Sequence, residues 1–246
     1  MNPPGALPPA TLTQETEQGL RFRVLKRSDY LQAKWKNGLG VTEQIGIYPD
    51  NSDLKRADFL WRLSTARIEK DSAFSSFPHH DRILILLEGN GIALSHSLGE
   101  AGEDASSDEE AWERVELSPL EPYEFPGDIL SRCHLTDGPV RDFSIFLRKG
   151  AVQAEVQIVS LDKDQSHHMQ CQASVTFIFA ASGRFRLTSV NDSNGDQGEL
   201  SSREWGPFEA LRLDAPRDWA QDEALPLEIQ AREGGKLIVV ELLLTE

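Results

Sequence analysis

The chain has 246 residues, with 40 acidic side chains against 25 basic ones and a formal net charge of −15. That length allows one large or two small domains with a substantial core. The charge argues against nucleic acid and against an anionic membrane surface, because both need clustered cations, but it leaves room for one locally positive pocket that takes a small anion.

Residues 1–20 contain no Lys or Arg and carry three prolines by position 8. They lack the basic and apolar regions of a secretory leader and read as a disordered tail. No apolar run approaches the roughly 20 residues of a spanning helix. The two cysteines, Cys133 and Cys171, lack metal-type spacing and fit a reduced, cytoplasmic setting with both thiols buried.

Strand signals dominate the rest. Ile45–Tyr48, Phe59–Ile68, Arg82–Leu87, Gly91–His96, Ile129–Leu135 and Phe143–Leu147 are short, rich in β-branched or aromatic residues, and separated by Pro, Gly, Asp and Ser. A second set comprises Val152–Leu161, Ser174–Phe179, Phe185–Val190, Ala210–Leu213 and Lys236–Leu244. Few windows hold a helical period, so the chain reads as all-β, an antiparallel sandwich or barrel. The change of pattern near residues 148–153 divides it into a first β-unit, 21–150, and a second, more degenerate one, 151–246. Within the first, residues 98–116 hold eight acids against Arg114 alone and read as a solvated loop insertion. Residues 191–198 read as a polar hairpin turn.

Chemistry concentrates in three places. Trp35-Lys36-Asn37-Gly38-Leu39-Gly40-Val41-Thr42-Glu43 joins aromatic, cationic, amide and hydroxyl groups to two glycines, and leads into a strand from Thr42. In Trp61-Arg62-Leu63-Ser64-Thr65-Ala66, alternation puts Arg62, Ser64 and Ala66 on one face and Trp61, Leu63 and Thr65 on the other. The Arg–Ser face is either an anion-binding pair in a barrel mouth or a salt-bridged solvent face. The run Phe74 to Gly91 ends in Leu-Leu-Glu-Gly-Asn-Gly, a strand and glycine turn of the kind found in cupin barrels. Counted back from Gly89, Arg82 occupies the place of a metal-binding Glu, where a cation repels a metal. Pro126-Gly127 lacks the spacer of the second cupin motif, and Leu130 stands where its His would be. These features resemble a cupin barrel that has lost its metal site. His79 and His80 point opposite ways in an extended chain and do not suit one metal.

Together Trp35-Lys36-Asn37-Gly38-x-Gly40-x-Thr42-Glu43, Trp61-Arg62-x-Ser64-x-Ala66, Phe74-Ser75-x-Phe77-Pro78-x-x-Asp81-Arg82, Leu87-Glu88-Gly89-x-Gly91 and Asp137-Gly138-Pro139-Val140-Arg141-Asp142-Phe143 resemble the HutD/Ves family, over roughly residues 23–148. The resemblance implies a bicupin: two RmlC-like antiparallel jelly-roll barrels packed together, with few short helices. It also implies a part in controlling histidine utilisation through a small pathway metabolite. Ser144 departs from the family's usual Asn, and the acidic insertion and long N-terminal tail are atypical.

The polar residues of these blocks, Lys36, Asn37, Thr42, Arg62, Ser64, Arg82 and Asp142, suit a pocket for a small carboxylate, with Trp35, Trp61 and Phe77 as its apolar wall. Three functions compete. The first is a small-molecule binding protein without metal or cofactor, acting on a small anionic metabolite, with a homodimer allowed. The second is a cofactor-independent isomerase, epimerase or cyclase, with Glu43, Asp81, Asp142 or His80 as base. The third is a metal-dependent dioxygenase, whose ligand set is not found. They rank in that order.

Overall fold

The computed structural model describes residues 14–15, 20–35, 40–98, 112–190, 203–215 and 224–245. Its strands are β1 (Gln14–Glu15), β2 (Arg21–Leu25), β3 (Leu31–Lys34), β4 (Gly40–Tyr48), β5 (Trp61–Ile68), β6 (Ser72–Ala73), β7 (His80–Glu88), β8 (Ile92–Ser97) and β9 (Trp112–Leu117). They continue with β10 (Tyr123–Pro126), β11 (Ser131–Leu135), β12 (Val140–Arg148), β13 (Val152–Leu161), β14 (Ser166–Cys171), β15 (Val175–Val190), β16 (Arg203–Trp205), β17 (Ala210–Asp214) and β18 (Leu225–Leu244). One 3-10 turn, Arg27–Asp29, is the helical element among the described residues. None of them forms a helix long and apolar enough to cross a membrane.

The chain divides into two compact units. One is Tyr30–Val152; the other joins Met1–Asp29 to Gln153–Glu246. In the first unit a six-stranded sheet, ordered β10-β7-β12-β5-β4-β3, accompanies a four-stranded sheet, ordered β6-β11-β8-β9. Both are antiparallel. Ile68, Leu84 and Leu86 of the larger sheet pack with Ile92, Leu94 and Cys133 of the smaller in one core, each removed from water. Strands β5, β7 and β12 are buried on both faces, which explains why Ile83 to Leu87 reads as an unbroken apolar run. The turn after β7 depends on Gly89, at φ 99°, where a side chain would also meet Pro139 O at 2.8 Å.

In the second unit eight strands form one sheet. β15 and β18 pair along most of their length, with irregularities between Ala180 and Ser182 and again between Arg184 and Phe185 that bend the ladder. Phe22, Ile178, Phe185, Trp205, Leu211, Leu227 and Ile229 form its core.

Three boundaries differ from the sequence reading. Residues 20–29 belong with the second unit and not the first. Leu20 and Phe22 are buried in its core, and β2 pairs with β17. Arg21-Phe22-Arg23-Val24 alternates, but its arginines hide the pattern, and the partner strand lies near the far end of the chain. Within the stretch read as a disordered tail, Gln14 and Glu15 pair with β2; residues 1–13 and 16–19 lie outside the described residues. The acidic insertion ends earlier than residue 116, since Trp112-Glu113-Arg114-Val115-Glu116-Leu117 alternates as strand β9 and pairs with β8. Residues 99–111, and the expected turn at 191–198, lie outside the described residues.

Candidate functional site

Antiparallel register aligns three polar rows across one face of the six-stranded sheet. Arg62, Phe146 and Arg82 face one another across β5, β12 and β7. The next row is Gln44, Ser64 and Ser144, and the third is Thr42, Ala66 and Asp142. Residues directly opposite in a ladder share a face, so the rows form one surface. A cavity of about 580 Å³ lies over it. Trp35, Phe74 and Phe77 contribute its apolar wall, and the exposed Lys55 also lines it.

The loops that carry the wall are tied by backbone bonds. Phe74 N–H donates to Ser131 O at 2.9 Å and Phe77 N–H to Gly127 O at 2.7 Å. Trp35 closes the hairpin of β3 and β4, its N–H donating to Gly40 O at 3.0 Å. Its indole Nε1 donates to Thr42 Oγ1 at 2.8 Å. The ring lies against Gly40, where an added Cβ would come within 2.9 Å of it and 2.7 Å of Arg67 O.

The two arginines of the site have different partners. Arg82 Nη2 donates to Ser144 Oγ at 2.9 Å and faces Asp142 Oδ2 at 3.3 Å. The Ser144 hydroxyl donates to Asp142 Oδ2 at 3.1 Å, and Ala66 N–H to Asp142 Oδ1 at 2.8 Å. The carboxylate thus accepts from three donors, the bonding of an ionised group. The Arg82 guanidinium also sits over Phe74 at 4.1 Å and Phe146 at 5.0 Å, a cation–π cage. Burial pushes the Asp142 carboxyl up from its ordinary value, while Arg82 and the hydrogen bonds pull it back. Burial lowers Arg82, and Asp142 opposes that shift.

Arg62 is as buried as Arg82, at 5% against 7% exposed, but has no carboxylate in contact among the described residues. Its Nε donates to the neutral Gln44 Oε1 at 3.1 Å. Its terminal nitrogens have no hydrogen-bond partner among the described residues. Burial first, then repulsion from Arg82, lowers its pKa to about 10, with Asp142 opposing. Arg62 therefore stays charged at neutral pH. The cavity floor holds two guanidinium groups against one carboxylate, inside a chain of net charge −15.

Of the residues named from sequence, Trp35, Thr42, Arg62, Ser64, Phe77, Arg82 and Asp142 line this cavity. Trp61 does not. It lies on the opposite face of β5 from Arg62, is 1% exposed, and stacks on Tyr48 at 6.0 Å. Strand alternation alone forbids it from sharing the cavity with Arg62. Lys36 and Asn37 lie outside the described residues. The candidate bases Glu43, Asp81 and His80 sit elsewhere. Glu43, on the opposite face of β4 from Thr42, faces Arg141 at 3.4 Å, and Asp81 lies 3.7 Å from Lys149. His80 is buried with both ring nitrogens 2.9 Å from backbone carbonyls, those of Pro78 and Phe59.

Gln44, Phe74, Ser144 and Phe146 were not assigned to the site from sequence. Stepping by two from Asp142 reaches Ser144 and Phe146, and from Thr42 reaches Gln44, so parity carried the signal for three of them. No group of three His, Cys, Asp or Glu side chains that could hold a metal occurs among the described residues.

The HutD family model matches residues 27–224. An uncharacterised 21.2 kDa protein from the hutC 3' region of Pseudomonas putida is 28% identical over 223 residues, covering 91% of this chain and 98% of that protein. Among solved structures, a conserved protein of unknown function from Pseudomonas aeruginosa PAO1 matches with TM-score 0.70 and 26% identity, over 90% of this chain and 98% of that one. HutD from Pseudomonas fluorescens SBW25, solved in a formate condition, matches with TM-score 0.65 and 26% identity, over 92% and 100%. The fold is the all-β bicupin fold that the sequence resemblance implied.

Proposed function

The chain belongs to the HutD family, and from that premise we propose that it binds a small organic carboxylate without transforming it, as a sensing component in the control of histidine utilisation. One observation carries the reading: Arg62 is buried, charged and bonded only to a neutral amide, with its terminal nitrogens uncommitted among the described residues. A buried cation without a counter-charge is costly. A carboxylate in the adjoining cavity would supply the missing charge and match the planar guanidinium in a two-point contact. Trp35, Phe74 and Phe77 would cover the apolar part of such a molecule. The pathway link is supported by the relative from the hutC 3' region.

The competing reading, a cofactor-independent isomerase, epimerase or cyclase, needs a free base beside the ligand. Asp142 is the carboxylate of the cavity lining, and its oxygens already accept from Arg82, Ser144 and Ala66 N–H.

Thermal unfolding against a panel of carboxylates, including urocanate, formylglutamate and histidine, tests the reading. A ligand at 100 times its Kd stabilises by about 2.7 kcal/mol. Stabilisation that disappears in Arg62→Ala is the expected result. No stabilisation by any carboxylate, or the same stabilisation in Arg62→Ala, would overturn it.

A further inference from the structure

We propose that Gln44 is the residue that sets the charge of ligand this site accepts: by holding Arg62 through a neutral carboxamide it leaves one positive charge unmatched, so the cavity floor takes a singly charged carboxylate head and discriminates against a doubly charged phosphate. The proposal rests on the carboxylate-binding reading above and adds the device that selects the anion.

The two arginines differ chiefly in the group that orients them. Arg82 is held by Asp142, a full negative charge at 3.3 Å, and by the Ser144 hydroxyl at 2.9 Å. Arg62 is held by Gln44 Oε1 at 3.1 Å, through Nε alone. That single bond fixes the plane of the guanidinium while its two terminal nitrogens stay out of any bond among the described residues. A glutamate at position 44 would reach the same Nε with nearly the same shape and would cancel the charge. The carboxamide thus orients without neutralising.

The charge count then limits the ligand. The Lys55 ammonium on the same lining is exposed and screened by solvent. Among the buried groups of the lining, one negative charge balances the floor. A second would stand uncompensated in the same buried space as the Asp142 carboxylate, which lines the cavity alongside Arg62. Like charges in a partly desolvated pocket repel far more strongly than in water. Selection here works by a repulsive element, Asp142, as well as an attractive one, Arg62.

The test compares wild type, Gln44→Glu, Gln44→Met and Asp142→Asn by calorimetric titration, with acetate and inorganic phosphate as probes at pH 8, where phosphate is mostly dianionic. Melting temperatures serve as the check on folding. Wild type should bind acetate at least about tenfold more tightly than phosphate, in line with like-charge repulsion in the pocket. Gln44→Glu should stay folded, because it pairs with Arg62, and lose acetate affinity by about tenfold or more. Gln44→Met, neutral but unable to accept from Nε, should lose only a few-fold through poorer orientation. Asp142→Asn should narrow the gap between acetate and phosphate. Acetate binding that is unchanged in Gln44→Glu would overturn the role of Gln44 and leave the carboxylate reading standing. So would phosphate bound as tightly as acetate by wild type. If folded wild-type protein bound neither acetate nor the carboxylate panel, both would fall together.

Discussion

Arg62 and Arg82 occupy the same transverse row of the six-stranded sheet, with Phe146 in register between them. The two cations share a face and a ring. Arg82 stands over Phe146 at 5.0 Å and Arg62 at 5.7 Å. Their repulsion is one reason Arg62 is held down at about 10. Among the described residues only Arg82 of the two has a carboxylate within an ion-pair distance, and this asymmetry leads to opposite outcomes when each is removed.

Arg82→Met leaves Asp142 buried without its counter-charge and should destabilise the protein by about 3–5 kcal/mol. Arg62→Met removes a buried cation that lacks a counter-charge among the described residues, and should leave stability unchanged or raise it while abolishing carboxylate binding. Urea denaturation of the two variants, with calorimetry on Arg62→Met, checks both halves. Equal destabilisation would mean that Arg62, like Arg82, holds a counter-charge.

The pH dependence of binding follows from Arg62. The ligand needs the charged guanidinium, so affinity should be flat through neutral pH. It should then fall by roughly tenfold per pH unit above the Arg62 value of about 10. For stability the sign is the reverse. A base whose folded value lies below its ordinary one burdens the fold while both states are charged, and that burden is relieved only as pH rises above about 10. A Kd series from pH 6 to 10.5 tests the binding half.

Burial pushes the thiols of Cys133 and Cys171 up to about 12 from an ordinary value of 9.0. The folded state therefore favours the neutral thiol. The stability this provides is complete below about pH 9 and is lost as pH rises towards 12. At pH 8.5 iodoacetamide should label neither cysteine in the folded protein and both in urea, as read by mass spectrometry. Rapid labelling of either in the native state would contradict the burial.

Gly40→Ala should cost about 1–3 kcal/mol as an overpacking change, because the new methyl meets Arg67 O and the Trp35 ring at once. The indole must then leave its bond to Thr42. A shift in tryptophan emission together with weakened ligand binding is expected. A stability loss with unaltered emission would place the strain in the backbone and not in the cavity wall.

Trp61→Ala should cost about 3–5 kcal/mol, as for a large ring removed from a core, yet leave the Kd of the folded protein unchanged. Weakened binding at full folding would return Trp61 to the cavity.

Much of the site was legible because strands alternate. Arg62, Ser64 and Ala66 share a face, as their spacing requires, and Arg82 stands in the cavity among them. Assigning Trp61 to the same wall ignored that parity. The places of Phe146 and Gln44 beside the arginines are not local properties of the sequence. Parity places them on a face, but only the pairing of positions far apart, 62 with 146 and 146 with 82, brings them beside the arginines. Such pairing is set by the packing of the whole sheet, which local sequence does not carry. Phe74 comes from a loop fixed by Ser131 O, and no periodicity points to it. For β2, two flanking arginines masked an alternating strand.

Strand β5 is buried on both faces for most of its length. Oil on both sides gives the chain little reason to prefer one alignment over its neighbour, since a slip by a single residue would still bury nearly everything. The ionic row removes that freedom. A slipped β5 would push Arg62 into the face held by Leu63, Ile145 and Ile83, away from the Gln44 carboxamide, while an aliphatic side chain took its place beside Arg82. The groups that would greet an anion in the finished protein therefore also act as a proofreading mark during assembly, penalising every alignment but one. Substitutions that erase this polarity would be expected to give a protein that still collapses but aligns its strands less uniquely.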